Sequence, residues 1–148
     1  MMTGRLDQLP EFVNCILIDR MNNDKQSHLP HVHEKELELF YVHAGTGQYM
    51  VDNRLYPIRE GDIVICNAGV LHGEEPSLVR QIHSYSVAMT GVQMEGLLPN
   101  CLIDYKTNPV VSCGQLAVHV GQLMQLLYLL SADTAHLGNV CGSLAYSM

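Results

Sequence analysis

Apolar and polar positions alternate in short blocks along most of the chain. The apolar runs are rich in β-branched and aromatic residues, as is typical of β-strands. Their regular spacing of roughly ten residues predicts a small antiparallel barrel or sandwich. The segment 44–47, with its two glycines, is predicted to be a turn between two of these strands. The predicted strands are 12–18, 37–42, 48–51, 55–58, 63–66 and 79–89.

The apolar spacing changes to that of a helix from residue 112 onward. Ser112 and Gln115 match the capping-box pattern that starts helices. This change predicts a helix with one continuous apolar stripe. Because such a stripe is unfavourable in water, we expect it to form the interface of a homodimer. The stripe residues recur at alternating steps of four and three: Leu116, Val120, Leu123, Leu127 and Leu130.

A second helix is predicted to follow, capped by Ser131 or Asp133. It reaches the last residue of the sequence without the Gly, Pro or basic residue that usually ends a helix. We therefore divide a single domain into a barrel with an N-terminal arm (1–111) and a helical dimerisation segment (112–148).

Composition and charge limit the classes of function. A chain of 148 residues that is 47% hydrophobic and 16% charged is expected to form one globular domain. Fifteen acidic residues against eight Lys and Arg leave a net charge of -7, and the basic residues are scattered along the chain. Because nucleic-acid binding needs a concentrated basic surface, we expect this segment to make no direct contact with nucleic acid.

The sequence predicts a cytoplasmic protein with no membrane partner. The longest apolar run, 123–130, is short and interrupted by Gln125, so neither a leader peptide nor a membrane span is predicted. Five cysteines occur without any C-x-x-C pair. An odd number of cysteines in apolar surroundings is typical of buried, reduced thiols.

Four residues in the middle of the chain form a candidate metal site: His31, His33, Glu38 and His72. His31 and His33 lie two residues apart, so on a strand both side chains face the same way. Glu38 reaches that face only if the chain turns or bulges near 34–35. Three neutral imidazoles and one carboxylate suit Zn²⁺, Ni²⁺, Mn²⁺ or non-haem Fe²⁺. The same side chains without a metal could line a polar effector pocket.

Neighbouring strand residues are expected to complete a ligand pocket. If Glu38 points inward, Phe40 and Val42 do so as well and supply an apolar wall. His83 and Tyr85 share one face of a later strand, and we include them as ligand-binding residues. No catalytic residue is predicted, since the chain has neither a nucleophile-elbow motif nor a phosphate-cradling glycine loop.

The spacing of the candidate ligands resembles the cupin motifs. The run from His31 through Gly45 matches the first cupin motif, and Gly61, Gly69 and His72 match the second less fully. The departures are Asn67 in place of Pro, Pro76 in place of Asn and Lys25 in place of Gly. All four metal-ligand positions are present. The resemblance implies a mainly β fold, namely a double-stranded β-barrel (jelly roll) with the site in its mouth, followed here by two C-terminal α-helices.

A narrower resemblance, carried by residues 30–72, is to the N-terminal sensing half of AraC-type transcription regulators. In that family a cupin barrel precedes dimerisation helices and a DNA-binding domain with helix-turn-helix motifs. The resemblance implies a small-molecule effector and a homodimer. It also implies that contact with DNA is made by a C-terminal domain that is missing from this sequence, so that the chain is a truncated sensory domain.

Three functional hypotheses follow from these patterns. The first is a small-molecule-sensing, dimerising cupin domain of an AraC-type regulator, with a divalent metal as its cofactor. The alternative is a stand-alone cupin metalloenzyme of the dioxygenase or sugar isomerase type, in which the same four residues hold the metal. The third is a metal-free carbohydrate-binding cupin. The downstream reading frame distinguishes the first two, and metal analysis distinguishes the third.

Overall fold

A computed structural model describes residues 8–18, 29–74, 80–131 and 146 of the chain. Its described part consists of seven β-strands, a short 3-10 turn at Gly114–Leu116 and the helix α1. In chain order these elements are β1 Glu11–Ile18, β2 Leu37–Val51, β3 Arg54–Arg59, β4 Asp62–Cys66, β5 His72–Glu74, β6 Arg80–Thr90, β7 Val110–Ser112 and α1 Ala117–Leu130.

The long strand β2 is the centre of an antiparallel sheet. It pairs with β3, β4, β5 and β6, and the main path through the sheet runs β1-β6-β2-β4-β7. All six residues from Leu37 to Val42 are buried, so this half of β2 is covered on both faces. The prediction of a mainly β, barrel-type fold followed by a helix is confirmed.

The predicted turn at 44–47 is wrong, because β2 continues through it. The pairing with β6 shifts register between Val42 and Ala44 and again between Ala44 and Thr46. Gly45 has a φ of 95°, a backbone conformation that glycine adopts without steric cost. The strand therefore bulges and bends at this point rather than ending.

The C-terminal helices depart from the prediction in two ways. No side chain caps α1, since Ser112 lies in β7 and the 3-10 turn leads directly into the helix. The predicted second helix falls almost wholly outside the described residues, of which Tyr146 alone lies in that segment and is helical. One α-helix longer than a turn is therefore seen within the described ranges. Among those residues, no helix is long and apolar enough to cross a bilayer.

Two apolar clusters lie on opposite faces of the sheet. Phe40, Val42 and Tyr49 belong to a cluster inside the barrel. Leu39 and Tyr41, on the other face of β2, belong to a cluster that α1 covers. The alternating faces of β2 thus place the inner and outer cores on either side of one strand.

The predicted apolar stripe of α1 is turned towards the protein's own sheet. Leu127 is fully buried there, and Val120 and Leu130 pack partly against the same cluster. Leu116 is exposed and Leu123 is half-buried. The outward face of the helix instead carries Val118, Leu126 and Leu129, which are all exposed. The chain's own core therefore uses part of the surface that the sequence assigned to a dimer.

Gly121 allows α1 to lie close to β2. The Tyr41 hydroxyl donates a hydrogen bond to the Ala117 carbonyl at 2.8 Å. A Cβ atom at Gly121 would lie 3.1 Å from the Tyr41 hydroxyl oxygen and 3.4 Å from His43 Nδ1. The absence of a side chain at position 121 is therefore what permits this contact between helix and strand.

We expect Gly121→Val to destabilise the fold, because its side chain would push α1 away from β2. Overpacking of this kind costs about 1–3 kcal/mol of unfolding free energy, which thermal or urea unfolding would measure. Gln122→Val adds the same side chain to the exposed neighbouring position. An equal loss of stability in both variants would contradict the close-packing explanation.

Candidate metal centre and its cavity

The fold brings His31, His33, Glu38 and His72 together. Glu38 lies near the start of β2, and His72 is the first residue of β5. The segment that carries His31 and His33 is held to β5 by a pair of backbone hydrogen bonds. The amide of His31 donates to the carbonyl of His72 at 2.8 Å, and the amide of His72 donates to the carbonyl of His31 at 2.9 Å. A bend at 34–35, as predicted, then leads into β2.

The side-chain ligand atoms converge on one point. One nitrogen or oxygen from each of the four residues lies within 4.8 Å of all the others. Glu38 Oε2 is 3.0 Å from His33 Nε2, 3.2 Å from His72 Nε2 and 4.0 Å from His31 Nε2. In a tetrahedral zinc site the bond lengths place ligand atoms roughly 3.4 Å apart. The four side chains therefore fit a divalent cation with little rearrangement.

Backbone carbonyls orient two of the imidazoles. Nδ1 of His31 lies 2.7 Å from the carbonyl oxygen of Leu29, and Nδ1 of His72 lies 2.9 Å from that of Val70. A carbonyl only accepts, so Nδ1 carries the hydrogen in both rings. In the neutral form of each ring, the form that binds a metal, the lone pair is then on Nε2, the atom that faces the other ligands. Fixing the tautomer in this way is typical of metal-binding histidines.

Glu38 is an ionised carboxylate in a buried position. Burial by itself raises the pKa of Glu38, but hydrogen bonds with His33, His72 and Ser86 outweigh it and hold the pKa well below its usual range. The Ser86 hydroxyl donates to Glu38 Oε1 at 2.6 Å, which leaves Oε2 towards the imidazoles. The hydrogen bond to Glu38 also raises the pKa of His33. The centre thus holds one fixed negative charge that a cation would neutralise.

The centre forms part of the wall of a cavity of about 290 Å³. His31, His33 and Glu38 line this cavity, while His72 is fully buried behind it. Cavity-lining residues that the sequence did not indicate come from the segment before β2 and from β1, β2, β5 and β6: Glu36, Asn14, Ile16, Ile18, Tyr49, Gly73, Glu74, Ser86 and Ala88.

Phe40 lines the cavity, and the structure places the other three predicted ligand-binding residues elsewhere. Val42 is buried in the inner cluster and does not line the cavity. Tyr85 belongs to the outer cluster beneath α1, and His83 is exposed. The strand register explains this placement, because Phe40 pairs with Ser86. Ile82, Ser86 and Ala88 therefore face the barrel interior, whereas Tyr85, Val87 and Met89 face the other way.

Glu74 is a second buried carboxylate in this cavity. It is 5% exposed, and its Oε1 atom has no hydrogen-bond partner among the described residues. Burial raises the pKa of Glu74 to about 7. One signal in the sequence could have found it: Glu74 follows His72 by two residues, so on a strand both side chains face the same side.

Comparison with known proteins places these features in a family. Residues 17–140 match the sequence model of the AraC-like ligand binding domain. The HTH-type transcriptional regulator YdiP of Escherichia coli (strain K12) is 33% identical over 85 residues, which are 57% of this chain and 28% of the length of that regulator. A predicted oxalate decarboxylase from Thermotoga maritima is structurally similar, with a TM-score of 0.38 and 19% identity over 60% of this chain and 98% of that one. Because the family model matches well over half of its residues, the chain belongs to the family of AraC-like ligand binding domains.

Proposed function

We propose that this chain is the effector-sensing domain of an AraC-type transcription regulator and that it holds a divalent metal at His31, His33, Glu38 and His72. The observation that carries the proposal is the convergence of these four side chains at the wall of a cavity, with all ligand atoms within 4.8 Å of one another. Membership of the family supports a role in binding a small molecule. The similarity to an HTH-type regulator supports a role in transcription.

The four proposed ligands come from three separate parts of the chain. Two lie on the segment before β2, one on β2 and one on β5. When bound, a divalent cation supplies positive charge and a Lewis-acidic contact for an oxygen atom of the effector. Because an effector shifts a conformational equilibrium only by binding one arrangement better, its contact with these segments provides a physical basis for sensing.

Strand β2 connects the proposed site to the helix. Glu38 and Phe40 face the cavity, and Tyr41 faces α1 and donates its hydroxyl hydrogen to the Ala117 carbonyl. A shift of β2 on effector binding would therefore act directly on α1. This contact supports the division into a sensing barrel (1–111) and a dimerisation segment (112–148) that contacts a second copy. Contact with DNA is proposed for a separate helix-turn-helix domain, since this chain carries a net charge of -7.

We expect the outward face of α1 to contact the second copy, together with Leu116 and Leu123 of the predicted stripe. Val118 and Leu129 are 69% and 64% exposed, so a charge there would meet an apolar partner surface. Leu126→Glu combined with Leu129→Glu is expected to convert a dimer to a monomer in analytical ultracentrifugation. Leu98→Glu combined with Tyr105→Glu, at exposed positions away from α1, is the control with the same charge change. A wild-type monomer, or equal dissociation of both double variants, would contradict this interface.

The reading frame that encodes the chain tests the regulator proposal. A pair of helix-turn-helix motifs encoded directly downstream is the expected result. A stop codon shortly after the codon for Met148 would argue against it and favour a stand-alone cupin metalloenzyme.

A further inference from the structure

Glu74 is held in the cavity by its strand. Glu74 is the last residue of β5 and pairs with Tyr49 of β2. Its side chain lines the cavity and is 5% exposed, so the carboxylate has little access to bulk water. Because paired strand backbone fixes the position of the Cα atom, the side chain has little freedom to reach the surface.

One oxygen of this carboxylate has no hydrogen-bond partner in the part of the chain that the structure describes. Glu74 Oε1 and Ser84 Oγ are the two buried side-chain oxygen or nitrogen atoms within the described ranges that lack a hydrogen bond. Leaving a buried polar atom unpaired destabilises the folded protein, and more so when the atom is charged. Such atoms are rare in native proteins, and one that lines a cavity is in position to be satisfied by a ligand.

The charge of the cavity favours certain ligands over others. Three carboxylates line it, those of Glu36, Glu38 and Glu74, and the described lining residues include no Lys or Arg. Carboxylate oxygens accept hydrogen bonds and repel anions, so this lining favours a cation or a neutral donor over an anionic ligand. Ile18 and Phe40 add apolar surface. The volume of about 290 Å³ is at the lower end of the range for ligand pockets, so the ligand is small.

We propose that the cavity selects a small molecule that presents a hydrogen-bond donor, either an ammonium or a hydroxyl group, to Glu74. The inference rests on the proposed function, because it assigns ligand chemistry to the same cavity. It does not depend on the metal, since Glu74 is not among the four converging ligands. Glu74 is thus a specificity-determining residue that favours amines and polyols over carboxylates.

A probe panel of amino alcohols, polyols and hydroxy acids with matched carbon skeletons tests this inference. Binding is measured by ligand-observed NMR on chelator-treated protein, so that a metal cannot capture the hydroxy acids. Amino alcohols or polyols are expected to bind, and hydroxy acids with the same carbon skeleton are not. Binding of hydroxy acids as tight as that of the donors, or no binding by any probe, would overturn the inference.

Two substitutions distinguish the two donor groups. Glu74→Gln keeps an acceptor oxygen but removes the charge, so it is expected to weaken an ammonium probe by about tenfold or more and to leave a hydroxyl probe nearly unchanged. Glu74→Leu removes the acceptor and is expected to weaken both. Glu95→Gln, at an exposed acid outside the cavity, is the matched control. If Glu74→Leu bound every probe as the wild type does, the inference would be wrong.

The metal proposal is measured separately on the same variants. Zinc stoichiometry is expected to be unchanged in Glu74→Gln and Glu74→Leu, which also shows that they are folded. If the wild type binds no metal but still selects hydrogen-bond-donor probes through Glu74, only the proposed metal site is refuted. If the wild type binds metal but does not select hydrogen-bond-donor probes over hydroxy acids, only the proposed role of Glu74 is refuted.

Discussion

Replacing His72 with alanine is expected to abolish stoichiometric binding of Zn²⁺ by this protein. His72 is fully buried, its Nε2 lies 3.2 Å from Glu38 Oε2, and its tautomer is fixed by the Val70 carbonyl. Loss of this nitrogen leaves two histidines on one short segment and a single carboxylate. We expect zinc affinity to fall on the order of 100-fold or more, beyond the usual effect of outer-shell changes.

Metal analysis of protein purified without a His tag measures this effect. The wild type is expected to retain one ion per chain after dialysis, to show the absorption of tetrahedral Co²⁺ when loaded with cobalt, and to unfold at a higher temperature with metal than without. His83→Ala removes an exposed imidazole outside the cavity and is expected to retain the ion. Metal absent from both the wild type and His72→Ala would favour a metal-free pocket.

Gly73→Ala is expected to disrupt the metal centre without changing any proposed ligand. A Cβ atom at position 73 would lie 2.7 Å from the backbone N and Cα of Pro30 and 2.9 Å from the carbonyl carbon of Leu29. These are backbone atoms of the segment that leads into His31, so the segment itself has to move away. The paired hydrogen bonds between His31 and His72 would then lengthen or break.

Two measurements follow for Gly73→Ala. Overpacking against backbone is expected to cost about 1–3 kcal/mol of unfolding free energy. Zinc affinity is expected to fall by at least tenfold, because His31 and His33 no longer face Glu38. Gly69→Ala is the control, since a Cβ atom there meets nothing within 4 Å although its φ of 81° makes the substitution strained. Should Gly73→Ala bind zinc as tightly as Gly69→Ala does, the close approach of Pro30 would not position the site.

Local spacing allowed the sequence to predict both the strands and the candidate metal ligands. The short apolar runs that mark β2, β3 and β4 depend only on which residues are neighbours along the chain. The same is true of His31 and His33, which share a face, and of the bend at 34–35 that brings Glu38 to them. The arrangement of the four side chains therefore agrees with what their spacing along the chain predicts.

Strand pairing determines which other residues line the cavity. Spacing along the chain cannot predict this pairing. β6 carries apolar or small residues on both of its faces, so its sequence does not show which set of residues faces inward. The register Phe40↔Ser86 decides it, and it places Ser86 in the cavity and Tyr85 under α1. A shift of one residue in the pairing of β6 with β2 would have exchanged the inward and outward faces of β6.

Sequence patterns alone predict β1, both parts of β2, β3, β4 and β6, the helical character of the segment after residue 114 and the spacing of three histidines and one glutamate. They do not predict β5 or β7. Tertiary contacts were needed to show that α1 turns Leu127 inward, that Gly73 admits Pro30 and that Oε1 of Glu74 is buried with no hydrogen-bond partner among the described residues. Each of these depends on atoms that are distant in the chain and meet only on folding. The periodicity of apolar residues indicates which side chains avoid water. The close contacts that these side chains make depend on which surfaces cover them in the folded protein.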